Sequence, residues 1–293
     1  MSAILRRFAK WAIVLLWGKE FKPRRIVRGI ASGYRICVSP QENLGYLIGM
    51  NETHLQRAIR KYVSTGDTVY DIGANVGYVS LCFAKRVGTG GRVFAFEPVP
   101  RNIEAFRRNI DINCITQVRL LEAAAAEKAG EALIRIAGNL STASLVWHQN
   151  NPSATEISVR TVSIDELVDA GQLGSPKFIK IDVEGAEGAV LQGMRRTVAS
   201  ARPVLFVECS EAGREKAWNL LQDLDYCCQS AITGEWIDTF EKYRHSDFLW
   251  KPAPLHRDTI QQTNQGRTSA RCLCSVPLER RRNVGNRCWR WSR

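Results

Sequence analysis

The stretch TVYDIGANVGYVSLCFAKRV, Thr68–Val87, decides how this 293-residue chain is read. An apolar run ends in an acid, Asp71. Two glycines follow four positions apart, Gly73 and Gly77, and then a helical pattern places Val76, Val79, Phe83 and Val87 on one face. A strand that ends at Asp71, turns at Gly73 and enters a helix packed closely through Gly77 opens its backbone to a small ligand. That opening lies at the carboxyl edge of the sheet, where open α/β folds place their ligands. Asp71 then offers a carboxylate to an N–H or ammonium group.

The pattern continues on the C-terminal side. Further buried strands are predicted at RVFAFEP, VRLLEAA, FIKIDVE and PVLFVEC. A helix begins after Pro100 with Ile103, Phe106 and Ile110 turned inward. Strands alternating with helices predict an α/β fold: a mostly parallel sheet with helices on both faces. From Glu131 to Ile164, β-branched alternation around the polar HQNNPSAT predicts a small antiparallel insertion. EWIDTF and HSDFLWKP are expected to add a hairpin or edge strands.

Charge divides the chain into three. The formal net charge is +12, but residues 1–35 hold nine Lys/Arg against one acid and residues 257–293 hold nine Arg against two acids. The stretch between them has 23 Lys/Arg and 26 acids, so the central domain itself does not ask for a polyanion such as a nucleic acid. The expected organisation is a basic N-terminal segment over 1–50, a catalytic-type domain over 51–256 and a basic disordered tail over 257–293. Within the first segment the apolar run Trp11–Trp17 is too short to span a bilayer. Its basic flanks suit either a helix packed on the domain or peripheral contact with an anionic membrane surface. Nine cysteines with no C-x-x-C fit neither a secreted disulfide framework nor a zinc site, which points to a reducing, cytoplasmic setting.

The ligand can be narrowed by its parts. Glu97, at the end of the strand FAFEP, is placed to accept the two hydroxyls of a ribose. Gly73-Ala74-Asn75-Val76-Gly77 lacks the second glycine that admits a pyrophosphate, which argues against a nicotinamide dinucleotide. A ligand with an amino acid end and a ribose but no phosphate fits better, and S-adenosylmethionine has that composition.

DIGANVG, FAFEPVPRN and FIKIDVEGAE, in this order and spacing, resemble the FkbM family of S-adenosylmethionine-dependent methyltransferases over roughly Leu55 to Val207. The resemblance implies a Rossmann-like class I methyltransferase fold with a seven-stranded sheet, and O-methylation of a hydroxyl on a sugar, other glycan or small molecule. It also implies cofactor contacts by Asp71 and Gly73 at the methionine end, by Glu97 at the ribose and by Ala123 and Ala124 at the adenine. Asn75, Gly77 and Pro98 lie in the same motifs, and Asp182 and Glu184 would stand beside the transferred methyl group.

An alcohol acceptor must lose a proton, through a general base or a metal that lowers its pKa. If the strand FIKIDVE persists to Glu184, Asp182 and Glu184 point to one side, one as base and the other as a cofactor or divalent-metal ligand. Glu187 is read as the start of the following helix, well placed against its dipole. His148, in the insertion, and His54 are the other candidate bases. N-methylation of a sugar amine or peptide, and a non-catalytic binding module, are the competing readings.

Overall fold

The computed structural model describes residues 20–38, 40–136, 155–209, 211–239 and 246–253. The expected N-terminal helix around Trp11–Trp17, His148 and the basic tail lie outside these residues.

Five strands form the parallel centre: β3 (Thr68–Ile72), β4 (Arg92–Phe96), β5 (Val118–Leu121), β9 (Phe178–Asp182) and β10 (Val204–Glu208). The antiparallel β13 (Asp247–Pro252) lies between β10 and β11 (Tyr226–Ser230), and the two-residue β12 (Trp236–Ile237) closes the edge. The order is β12-β11-β13-β10-β9-β3-β4-β5. It is the expected seven-stranded sheet with one very short edge strand added. Strand order, not strand direction, reverses at the parallel pair β3–β9, and this switch point opens a crevice at the carboxyl ends of the strands.

Strand alternation sorts side chains to two faces. Val69, Val93, Ala95, Phe178 and Phe206 pack with α2 (Thr53–Tyr62), α3 (Tyr78–Val87) and α4 (Pro100–Asp111). Tyr70, Ile72, Phe94, Ile179 and Val207 join the opposite core with α6 (Glu187–Gln192), α7 (Arg195–Ala201) and α8 (Glu211–Asp223). The predicted inward faces hold: Val79, Phe83 and Val87 are buried on α3, as are Ile103, Phe106 and Ile110 on α4. Val76 instead precedes α3, in the loop.

Two smaller sheets complete the fold. The insertion is antiparallel as expected, with β7 (Gly130–Ile136) paired to β8 (Thr155–Val162). The two-residue β6 (Ala124–Ala125) adds to β8 in parallel, just before α5 (Ile164–Asp169). N-terminally, β1 (Lys22–Arg25) and β2 (Arg35–Val38) form a hairpin, followed by α1 (Pro40–Leu47), which departs from helical geometry at Asn43. Ile26, Ile36, Val38 and Leu47 enter the same core as α2 and α3. Buried Gln56 ties this segment down: its amide oxygen accepts from the Ile30 N–H, and its amide nitrogen donates to the carbonyls of Gly49 and Asn51 and to the Tyr78 hydroxyl.

Candidate active site

A cavity of about 370 Å³ opens at the carboxyl ends of β3, β4, β9 and β10. This is within the range of small-molecule sites, roughly 300–1,000 Å³. Its floor is the loop after β3. Gly73 takes φ +76°, and a side chain there would place its first carbon 1.8 Å from the Asp182 carbonyl oxygen, so the loop can lie against β9 only as glycine. The N–H groups of Gly73 and Ala74 both donate to the Phe96 carbonyl, each at 3.0 Å, which fastens the loop to β4.

Glu97 straps the cavity's second side. Its carboxylate accepts from the Asn75 N–H at 2.8 Å, the Val99 N–H at 3.0 Å and the Asn102 side-chain amide at 3.1 Å. Burial raises its pKa against the pull of these three donors. A carboxylate has about four acceptor positions, so three donors leave room for about one more on this cavity-lining residue. Small residues, Ala124, Ala125, Ala126 and Ala132, with Ile134 and Thr161 form a wall contributed partly by the insertion.

The remaining side is charged. Lys180 is buried in β9, where its ammonium donates to the Gly73 carbonyl at 2.6 Å and lies 3.3 Å from Asp182 and 3.6 Å from Asp71. Burial opposes this charge, but Asp182 and Asp71 together hold the ammonium well above the usual lysine range. Glu52, Glu184 and Glu208 share this end of the cavity with Asp182, and Tyr46 stacks on Tyr78 at 4.6 Å between ring centres. Burial, reinforced by Glu52, pushes the Tyr46 hydroxyl up to about 12. Burial also raises the carboxyls of Glu52 and Glu184, in each case with a contribution from Asp182.

Gly73, Asn75, Glu97, Pro98, Ala124, Asp182 and Glu184 all line the cavity. Asp71 does not. Its carboxylate is fully buried, takes a 2.6 Å hydrogen bond from the Ser80 hydroxyl and faces Lys180, so it supports the loop from beneath. Gly77 is also withdrawn: its place is to let Phe106 approach, since an added carbon would sit 2.8 Å from that ring. Ala123 is buried behind the wall that Ala124 to Ala126 present.

Strand β9 ends at Asp182, so strand alternation does not bring Glu184 beside it. Glu184 sits in the following turn with φ +52° and reaches the cavity from there. Glu187 opens α6 as read, buried, with its carboxylate accepting from the Gly185 N–H at 2.8 Å. His54 is half-buried in the first turn of α2 and does not line the cavity. Among the described residues no group of three or more His, Cys, Asp or Glu is arranged to hold a metal ion, and no helix is long and apolar enough to cross a membrane.

Sequence reasoning missed Lys180, Glu52, Tyr46, Asn102 and Glu208. For Lys180 and Glu208 a signal exists: each is a charged residue at or near the end of an otherwise apolar strand, FIKID and VLFVE.

The switch-point crevice, glycine loop and acid after β4 belong to a class I S-adenosylmethionine-dependent methyltransferase. Residues 71–245 match the Methyltransferase FkbM domain, and the chain belongs to that family. Hexuronic acid methyltransferase AglP of Haloferax volcanii is 28% identical over 182 residues, which cover 59% of this chain and 70% of that protein. Methyltransferase 1 of Beauveria bassiana is 25% identical over 145 residues, 43% of this chain and 57% of that protein. Among solved structures, a methyltransferase FkbM from Methylobacillus flagellatus is 18% identical with a TM-score of 0.40, over 85% of this chain and 59% of that one.

Proposed function

We propose that this methyltransferase transfers the methyl group of S-adenosylmethionine to a hydroxyl of a glycan or hydroxylated small molecule. The carrying observation is that one cavity joins the Glu97-strapped glycine loop to a cluster of acids, Asp182, Glu184, Glu208 and Glu52, at its far end. In this reading the Gly73–Asn75 backbone and the open side of Asp182 receive the methionine end, Glu97 and Pro98 the ribose, and Ala124 to Ala126 the adenine. The sulfonium methyl group then points toward the acids.

That acid cluster selects the acceptor. Lys180 is already shared by Asp71, Asp182 and the Gly73 carbonyl, so an anionic acceptor group would enter a site of its own sign. A neutral hydroxyl enters without that penalty and finds carboxylates near its proton. The likeness to a hexuronic acid methyltransferase supports a sugar as acceptor; the charge argument applies to the group that meets the acids, not to a carboxylate elsewhere on the sugar. An amine is the second reading, favoured by the same acids, which would attract its ammonium form.

Labelled methyl transfer from S-adenosylmethionine to neutral glycosides, hexuronic acids and amino sugars tests the proposal. The expected product is an ether, stable to mild alkali. An alkali-labile ester or a methylamine as sole product would overturn it.

A further inference from the structure

The cavity's acid end contains an arrangement that the family motifs do not mention. Glu208 ends β10, and its neighbours in register are Asp182 on β9 and Asp247 on β13. Residues paired in register point to the same face, so three carboxylates stand in a row across three adjacent strands, with Glu208 in the middle. Glu208 lines the cavity.

We propose that Glu208 holds a proton in the free protein, surrenders it when the sulfonium cofactor binds, and so becomes the general base for the acceptor hydroxyl. This rests on the cavity being the cofactor site.

The charged groups acting on Glu208 come from several elements: Asp182 and Lys180 belong to β9, Asp247 to β13 and Glu52 to the turn before α2. Glu184, in the turn after β9, and Tyr46, on α1, line the same cavity. Burial, then Asp182, Asp247 and Glu52, push the Glu208 carboxyl up to about 8, against the pull of Lys180. Near neutral pH the proton therefore stays on Glu208.

S-adenosylmethionine brings one positive charge, on sulfur, that S-adenosylhomocysteine lacks. A cation arriving at this row favours the ionised carboxylate, and by linkage the two events are coupled. In the transfer step the acceptor oxygen attacks the methyl carbon, and the carbon–sulfur bond breaks with its electron pair going to sulfur. The hydroxyl proton passes to the Glu208 carboxylate. The products are a methyl ether, S-adenosylhomocysteine and protonated Glu208, which is the state of the free protein. The base is thus charged only while the methyl donor is present.

Calorimetric titration of the full chain at pH 7, in two buffers of different protonation enthalpy, tests this with S-adenosylmethionine and S-adenosylhomocysteine as probes. S-adenosylmethionine is expected to release most of one proton per site, and S-adenosylhomocysteine much less. Its affinity should rise with pH up to about tenfold per unit below pH 8, while that of the homocysteine form changes little. Glu208→Gln should bind both without the difference in proton release. Asp247→Asn, which removes a flanking charge outside the cavity, should shrink it. Equal release with both ligands, or a difference that survives in Glu208→Gln, overturns the proposal. Failure of the folded wild-type protein to bind either ligand overturns the cofactor-site reading along with it.

Discussion

Asp71 and Lys180 are direct cross-strand partners in the parallel pair β3–β9, and their charged atoms lie 3.6 Å apart beneath the glycine loop. The acid that begins the cofactor motif is thereby joined to the strand that ends in Asp182. Because Lys180 also donates to the Gly73 carbonyl, one ammonium group sets the height of the loop and the charge of the cavity.

Replacing Lys180 with Met should therefore cost about 3–5 kcal/mol, since it strands Asp71 as a buried charge without its partner. Urea unfolding measures the loss. Adding Asp71→Asn should recover part of it; a double variant no more stable than Lys180→Met would show that the pair is not the source.

Two glycines with positive φ separate backbone strain from steric clash. Gly66, at φ +89°, has nothing within 4 Å of where a side chain would begin, whereas at Gly73 the Asp182 carbonyl oxygen is 1.8 Å away. Gly66→Ala should cost about 1–2 kcal/mol, the conformational term alone. Gly73→Ala should exceed that by ~2 kcal/mol or more and displace the loop from β9. Equal midpoints in denaturant would contradict the close approach.

The Glu208 carboxyl gives the fold an unusual pH dependence. Its pKa is about 8 when folded against an ordinary value of 4.5, so the folded state binds the proton more tightly than the unfolded state. Its contribution is unchanged below about pH 4.5 and turns increasingly unfavourable as pH rises toward 8. Thermal melts of Glu208→Gln should match or fall below wild type at pH 5 and exceed it at pH 8.5. A constant difference across that range would exclude the titration.

Gln56 holds the N-terminal segment over the cavity rim by four hydrogen bonds. Gln56→Ala leaves the Ile30 N–H and the Gly49 and Asn51 carbonyls without this partner. The expected cost is roughly 2–3 kcal/mol, with weaker cofactor binding because Tyr46 and Glu52 lose their anchor. Unfolding and cofactor titration on the same variant measure both effects.

Much of this was legible in the residues. Asp71, Gly73 and Gly77 marked the first turn, Glu97 the end of the next strand, and alternation after Glu131 the antiparallel insertion. What could not be read was register. Lys180 sits in an apolar strand as an apparent interruption, and only its pairing with Asp71 makes it a keystone. Glu208 is only a charge closing the apolar strand VLFVE until β9 and β13 bring Asp182 and Asp247 to either side. Asp71 is the reverse case. Its motif position pointed to ligand contact, but the strand's alternation turned it inward, where Ser80 and Lys180 occupy it. Tyr46 and Glu52 reach the cavity from outside the matched family domain, through packing that no local pattern records.

The most direct test of the cavity as cofactor site is calorimetric titration of S-adenosylhomocysteine into wild type and Glu97→Ala, with circular dichroism confirming that both are folded. The account predicts saturable micromolar binding by wild type, roughly −8 kcal/mol, weakened at least about tenfold in the variant, a loss of ~1.4 kcal/mol or more. No binding by the folded wild-type protein, or undiminished affinity in Glu97→Ala, would contradict it.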